Sequence, residues 1–292
     1  MYSTDLNDSL EQALVYDLRN AKENITLFTY SMSSKAVMRE LKEKKREGIN
    51  VEVIVDCQAS PLAKYLEPEI KVVKRVCMGL MHYKVIVIDH RYVWLGSANM
   101  TGDSLKLHSN VMERIDSSQL AEYIEDRFRS MGNEGYQRRL SPYMTPDLEM
   151  WVMPDSDGAN RIKDLMRSAK KTIKVAMYTF TRKDFTDTLI RAKERGVDVQ
   201  VIMDRGMALG ASKKTFERLK EYGIEVKTRS GDGLMHHKFM IIDDDMWVHG
   251  SANWTRAAFT QNDDYFIVHT SLDPKQKEEV LKIWKALTEK SN

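Results

Sequence analysis

The hydrophobic positions of this chain switch between two periods, and the switching happens twice. Leu10, Ala13, Leu14 and Leu18 recur at helical spacing, as do Ile162, Leu165, Met166 and Ala169. Short β-branched and aromatic runs follow, Ile25–Tyr30 and Ile173–Tyr178, and predict strands. A second helix is predicted around Val37–Lys45 and again around Phe185–Arg195, stopped by Gly48 and Gly196. Val51–Val55 and Val197–Met203 are continuous apolar runs, the pattern of strands buried between helices. The alternation predicts an α/β fold with mixed, largely parallel sheets flanked by helices. Gln119–Phe128 and Lys275–Leu287 read as closing helices, with Tyr123, Ile124 and Phe128, and Val280, Trp284 and Leu287, on their buried faces.

The repetition extends to residue identity. Ala21-Lys22-Glu23-Asn24-Ile25 returns 148 residues later as Ala169-Lys170-Lys171-Thr172-Ile173, and at that offset Tyr30 matches Tyr178 and Asp56 matches Asp204. From His82 and His236 onward the offset is 154, so the second copy holds extra residues between Asp204 and His236. The chain reads as a tandem duplication: lobe 1 over 1–131, a linker over 132–147 and lobe 2 over 148–292. The linker contains Gly132, Gly135, Pro142 and Pro146, which have turn chemistry without apolar period. Lobe 2 opens with an apolar run, Leu148–Met153, whose counterpart would precede Met1. Two expectations follow from that asymmetry: an upstream strand, with a signal peptide or anchor, or a first copy that simply starts late.

Composition narrows the class. The 292 residues are 42% hydrophobic and 30% charged, which is ordinary for a folded soluble protein. A net charge of +2 excludes global basicity, so any surface for a polyanion must be local. No apolar run approaches the roughly 20 residues that a bilayer span needs. Two cysteines, Cys57 and Cys77, are too few for a disulfide framework or a zinc site. They are expected as buried free thiols, with a Cys57–Cys77 bridge as the alternative in an exported protein.

The candidate chemistry lies in the best-matched stretch. Met81-His82-Tyr83-Lys84 runs on to Asp89 and to Gly96-Ser97-Ala98-Asn99; Met235-His236-His237-Lys238 runs on to Asp243 and to Gly250-Ser251-Ala252-Asn253. Side chains alternate along a strand, so His82 shares a face with Lys84 and His236 with Lys238. Asp89 and Asp243 fall on the other face or past the strand end, which suits them to support the local backbone or a neighbouring cation. An imidazole can serve as nucleophile or acid near neutral pH. Lysines and the amides of Asn99 and Asn253 can hold phosphoryl oxygens as charge develops on them. Gly96 and Gly250 allow close backbone approach, and Ser97 and Ser251 can bond their motif partners. No spacing of carboxylates, histidines or cysteines suggests a metal site, and no cofactor is expected. His237, which matches Tyr83, points away from His236; His90, His108, His249 and His269 read as satisfied surface or edge residues.

Both stretches fit His-x-Lys-x4-Asp followed by Gly-Ser-x-Asn, and in this the chain resembles the phospholipase D superfamily over nearly its whole length. The resemblance implies two homologous lobes related by a pseudo-two-fold axis, one active site built from both motifs, and a covalent phosphohistidine. It also implies an acidic residue shortly after Gly-Ser-x-Asn that supports a catalytic histidine. Asp264 stands there in lobe 2, whereas lobe 1 has Asn110, and Glu113 could substitute only if the backbone shifted. A carboxylate partner favours a protonated imidazole. His236 is therefore expected as the general acid and His82 as the nucleophile.

The implied substrate is a phosphodiester, and two classes are open. Asn253-Trp254-Thr255 is similar to the small nuclease-type members, most of which carry one motif per chain and dimerise; this chain resembles such a dimer fused into a monomer, with no obligate partner. Lys71, Lys74 and Arg75 before the first motif, and Arg205, Lys213, Lys214, Lys227 and Arg229 before the second, could track a nucleic-acid backbone. Nucleic acid is slightly preferred. The alternative is release of a phospholipid head group, or lipid transfer, with peripheral membrane contact through an apolar lip such as Met207-Ala208-Leu209-Gly210. A non-catalytic binding module is the third reading.

Overall fold

The periods resolve into two compact units, Met1–Ser141 and Pro142–Asn292, in a computed structural model that describes residues 1–76, 78–130, 141–229 and 231–292. Unit 1 runs β1 (Tyr2–Ser3), α1 (Leu10–Arg19), β2 (Asn24–Thr29), α2 (Lys35–Arg46), β3 (Asn50–Asp56), a 3-10 segment (Pro61–Leu66) and β4 (Lys71–Arg75). It continues with β5 (Lys84–Ile88), β6 (Tyr92–Gly96), α3 (Gly102–Lys106), β7 (Val111–Asp116) and α4 (Ser118–Ser130). Its sheet has the order β1-β7-β6-β5-β2-β3-β4.

Unit 2 adds β8 (Tyr143–Met144) and then repeats the plan. It has β9 (Leu148–Val152), α5 (Ser156–Ser168), β10 (Thr172–Met177), α6 (Lys183–Glu194), β11 (Asp198–Asp204), α7 (Arg205–Leu209), α8 (Lys213–Glu221) and β12 (Glu225–Arg229). β13 (Lys238–Ile242), β14 (Met246–Gly250), α9 (Arg256–Thr260), β15 (Tyr265–His269) and α10 (Pro274–Glu289) complete it. Its sheet has the order β12-β11-β10-β13-β14-β15-β9-β8. The extra residues before His236 form α7 and α8, where unit 1 has only the 3-10 segment.

The sheets are mixed and flanked by helices, but they are not largely parallel. Among the described strands, parallel pairing is confined to β2–β3–β4 and β10–β11–β12, where a helix or 3-10 segment carries the chain back. The remaining pairs are antiparallel. The physical reason is the three-residue link between β5 and β6, and between β13 and β14, which permits only an antiparallel return.

Burial explains the fully apolar strands. Leu10, Leu14 and Leu18 of α1 and Val37 and Leu41 of α2 pack on Ile25, Leu27, Val53 and Ile86 from one side of the first sheet. Phe128 of α4 covers the other side, stacked on Tyr83 at 3.8 Å and edge-on to Phe28 at 5.1 Å. A strand covered on both faces has no polar alternation to show.

Part of the expected linker is structured. Residues 131–140 lie outside the described set, whereas Tyr143–Met144 pairs with Met150 and Glu149 as the edge of the second sheet. Thr145 closes that hairpin, its N–H donating to the Leu148 carbonyl at 2.8 Å. β1 occupies in the first sheet the place of β9 in the second, Ser3 facing Val111 as Val152 faces Tyr265.

Candidate active site

Strand direction gathers the motif at one end of each sheet. β2 and β5 are antiparallel with Thr29 opposite Lys84, so the end of β2 meets the start of β5. β3 runs parallel to β2 and brings Asp56 to the same end, and β6 brings Gly96. The Tyr30 N–H extends the pairing by donating to the Tyr83 carbonyl at 2.9 Å.

Around each histidine the same cage recurs. Tyr83 is buried against Phe128, so alternation turns His82 and Lys84 to the opposite side. The His82 ring meets Tyr30 edge-on at 5.1 Å, and Lys84 Nζ lies over that tyrosine at 5.4 Å from its centroid. Lys84 Nζ donates to the His82 carbonyl at 2.7 Å. In unit 2 His236 meets Tyr178 at 4.9 Å, Lys238 Nζ lies 5.2 Å from the Tyr178 centroid, and it donates to the His236 carbonyl at 2.7 Å. Both ammonium groups are buried, and a carbonyl and an aromatic face replace part of their lost hydration.

Asp56 and Asp204 belong to this cage and received no role from the sequence. Asp56 Oδ1 accepts from the N–H groups of Gln58 and Ala59, both at 2.9 Å, and Oδ2 accepts from the Met81 N–H at 3.0 Å. Asp204 accepts from Met207 N–H at 3.0 Å and Met235 N–H at 3.1 Å. Each carboxylate therefore fixes the residue before a motif histidine. Burial first, then the nearby Asp56, raises the Tyr30 pKa; burial and Asp204 do the same for Tyr178. The one available signal was that Tyr30 and Asp56 repeat as Tyr178 and Asp204.

The motif aspartates lie at the far end of the strand. Asp89 and His90 have φ of 54° and 51°, and Asp243 and Asp244 have 53° and 56°, the left-handed pair of a tight hairpin turn. Asp89 accepts from the N–H groups of Lys22, Glu23 and Asn24 at 2.8–3.2 Å. Asp243 accepts from those of Lys170, Lys171 and Thr172 at 2.7–2.9 Å. Burial pushes the Asp243 carboxyl up, but the three amides outweigh it and hold its pKa below the ordinary carboxylate value.

The Gly-Ser-x-Asn turns sit against the following strand. A Cβ on Gly96 would overlap the Val111 carbonyl and come 2.9 Å from Met112 Cα; on Gly250 it would come 2.5 Å from the Tyr265 oxygen. Ser97 Oγ donates to Asn110 Oδ1 at 2.8 Å, and Ser251 Oγ to Asp264 Oδ1 at 2.7 Å. Ser97 N–H bonds Val111 O as Ser251 N–H bonds Tyr265 O, so Asn110 occupies the place of Asp264 without a register shift. Glu113 lies further along β7, opposite Leu95. The Asn110 amide donates to the Ser104 carbonyl at 2.9 Å, a bond a carboxylate cannot make. Asn99 N–H donates to Ser104 Oγ at 2.9 Å, and Asn253 Oδ1 accepts from Thr179 N–H at 3.3 Å.

Several expectations need correction. His249 and His269 are buried rather than surface residues, stacked with Trp247 at 3.7 and 5.6 Å. They lie on β14 and β15, which are interior strands. His90, by contrast, is a satisfied surface residue as expected, an exposed turn residue whose Nδ1 lies 2.7 Å from Glu125. Cys57 is free and exposed, not buried; Cys77 lies outside the described residues. Met207–Leu209 lies in α7, capped by Asp204, with Gly210 as its C-cap; Ala208 is buried and Leu209 exposed. Lys71 pairs with Glu52, Lys74 with Glu67, Lys213 with Glu217 and Lys227 with Glu225. Arg75 is buried and donates to the Phe128 carbonyl at 2.9 Å.

The cages can be set beside known proteins. A family model described as "Cardiolipin synthase, PLD-like domain" matches residues 14–132 and 162–287. The mitochondrial cardiolipin hydrolase of Chlamydomonas reinhardtii is 34% identical over 116 residues, 40% of this chain and 51% of that protein. Cardiolipin synthase 2 of Staphylococcus epidermidis is 24% identical over 294 residues, 85% of this chain and 60% of that protein. The chain thus spans about half the length of the cardiolipin hydrolases it matches. The crystal structure of phosphatidylserine synthase from Haemophilus influenzae Rd KW20 shares the fold, with a TM-score of 0.77 over 100% of this chain and 86% of that one at 15% identity. Among the described residues no helix is long and apolar enough to cross a membrane.

Proposed function

Because the chain belongs to the phospholipase D superfamily, we propose that it is a metal-independent phosphodiesterase that releases the head group of a phospholipid through a covalent phosphohistidine. The observation that carries this reading is the identity of the two cages. Both keep the His–Lys pair against a tyrosine, with an aspartate fixing the preceding residue. A module that only bound its ligand would have no need to keep two reactive sets intact.

The chemistry divides between the halves. An unprotonated His82 nitrogen attacks phosphorus while the bond from phosphorus to the head-group oxygen breaks and His236 gives that oxygen its proton. Water, giving its proton back to His236, then attacks phosphorus and breaks the P–N bond, freeing His82 and phosphatidate. Lys84, Lys238, Asn99 and Asn253 hold the non-bridging oxygens. Asp264 supplies a negative charge on the His236 side that Asn110 cannot supply on the other, which suits the acid and nucleophile roles in that order.

Phospholipid stands above nucleic acid for a physical reason. Of the cations that would track a nucleic-acid backbone, Arg75 is buried and donates to the Phe128 carbonyl, which removes it from any polyanion surface. Trp254, the residue most suggestive of nuclease-type relatives, is core, edge-on to Phe180 and Phe185. The named activities of the curated relatives, cardiolipin hydrolase and cardiolipin synthase, point the same way.

The test offers the purified protein phosphatidylcholine, cardiolipin, single-stranded DNA and RNA side by side in excess EDTA. Lipid hydrolysis that disappears in both His82→Ala and His236→Ala is the expected result. Cleavage of DNA or RNA with the lipids untouched would replace the substrate, and full activity in either variant would end the mechanism.

A further inference from the structure

The segment between β4 and β5 carries apolar side chains into solvent immediately before the motif histidine. Val76 is 74% exposed, Met78 90% and Leu80 41%. Isolated exposed apolar residues are ordinary, but three within five positions beside a reactive residue are not. The segment is not loose at its far end: the Met81 N–H is held by Asp56, and Met81 itself is fully buried. Whatever Met78 touches is thereby placed a few residues of chain from His82.

The duplication supplies a control. The equivalent stretch of unit 2 contains Gly231, Asp232, Gly233 and Leu234, so only Leu234 repeats the pattern. Fold requirements are shared by the two units, and the apolar character is not. It is therefore a property added to unit 1 rather than a condition for building the cage.

The surroundings indicate what covers it. The 3-10 segment that packs on β4 exposes Leu62 and Tyr65, and Lys64 Nζ lies 5.3 Å from the Tyr65 ring centroid. β4 is the edge of its sheet, and Lys71 and Lys74 project from it, paired with Glu52 and Glu67. Exposed ion pairs of this kind are weak and exchange readily for other anions. Apolar side chains, a tyrosine beside Lys64 and further lysines on the edge strand form the composition that settles at the boundary between lipid head groups and acyl chains.

We propose that Val76, Met78 and Leu80 insert into the surface of an anionic phospholipid bilayer and present its head groups to His82. This deepens the phospholipid reading given above and rests on it. The protein would then act on lipid packed in a membrane, not on lipid dispersed in water.

The experiment measures binding of the whole chain to vesicles of phosphatidylcholine alone and of phosphatidylcholine mixed with phosphatidylglycerol. The wild type should bind the mixed vesicles more tightly, and less tightly as salt rises. The variant V76S/M78S/L80S should lose about tenfold or more in affinity while keeping its melting temperature and its turnover of soluble bis(4-nitrophenyl) phosphate. Equal vesicle binding by wild type and variant, or none by the wild type, overturns the proposal. So does a variant that changes only the sedimentation coefficient, which would make the segment a contact between copies. Vesicle binding without lipid hydrolysis would leave docking standing and remove the phospholipid reading. Hydrolysis of detergent-dispersed lipid without vesicle binding would do the reverse.

Discussion

Asp56 accepts the Met81 N–H at 3.0 Å, so a carboxylate at the end of β3 sets the position of the residue before His82. The same relation links Asp204 to Met235. Asp56 also bonds Gln58 and Ala59, which makes it the hinge pin between strand, loop and motif. Asp56→Ala should lower stability by about 1–3 kcal/mol through orphaned amides. Its turnover should fall by more than that loss of fold explains, on the order of tenfold or more through misplacement of His82. Thermal melting and steady-state rates on the same preparation separate the two effects.

The turn glycines give a contrast that activity need not enter. Gly96→Ala forces a Cβ into the Val111 carbonyl and should cost about 3 kcal/mol or more, since the obstacle is backbone and cannot rotate away. Gly48→Ala places its Cβ in open space and meets only a φ of 91°, so about 1 kcal/mol is expected. Urea unfolding of both variants should show the first midpoint far below the second; equal midpoints would contradict the packing argument.

Acid should reveal Asp243. Its folded pKa lies below the ordinary 3.8, so its contribution to stability is complete above that value and fades as pH falls through the folded pKa. Melting temperatures recorded from about pH 5 downward should drop for the wild type. Asp243→Asn keeps the turn conformation but has no carboxylate to protonate. It should start lower and show a shallower acid limb, and parallel curves would count against the assignment.

The proposed division of labour between His82 and His236 can be tested directly. Brief reaction and acid quench should leave phosphate, or phosphatidyl, on His82. The label should be absent from His82→Ala and still form, slowly, in His236→Ala when the leaving group is activated, because 4-nitrophenolate leaves without a proton. Label mapped to His236 would reverse the order.

Most of the fold plan could be read from the chain, because both copies spell it. The period-two placement of His82 and Lys84, and the offset of Asp89, put those side chains on the right faces. Strand direction was less legible. The link from β5 to β6 is Asp89-His90-Arg91, and from β13 to β14 it is Asp243-Asp244-Asp245. None is glycine, so the hairpins gave no familiar turn signal, and helix–strand alternation suggested more parallel pairing than exists. Tyr30 and Asp56 were visible only as repeated letters. Their work depends on β2 and β3 ending level with the start of β5, which is a property of pairing and not of local sequence. The burial of His249 and His269 follows likewise from β14 and β15 being interior strands.

The turn at Asp89 separates two histories within one motif. Its aspartate adopts a left-handed backbone and ties three amides, so a lobe needs it in order to fold, whatever reaction that lobe performs. The histidine and lysine are under no such obligation. A duplicated lobe that had stopped working could lose both and still keep its aspartate and its glycine. Survival of the final letter is thus a record of folding, and under the proposed mechanism only the first two letters testify to chemistry. In this chain both units retain both.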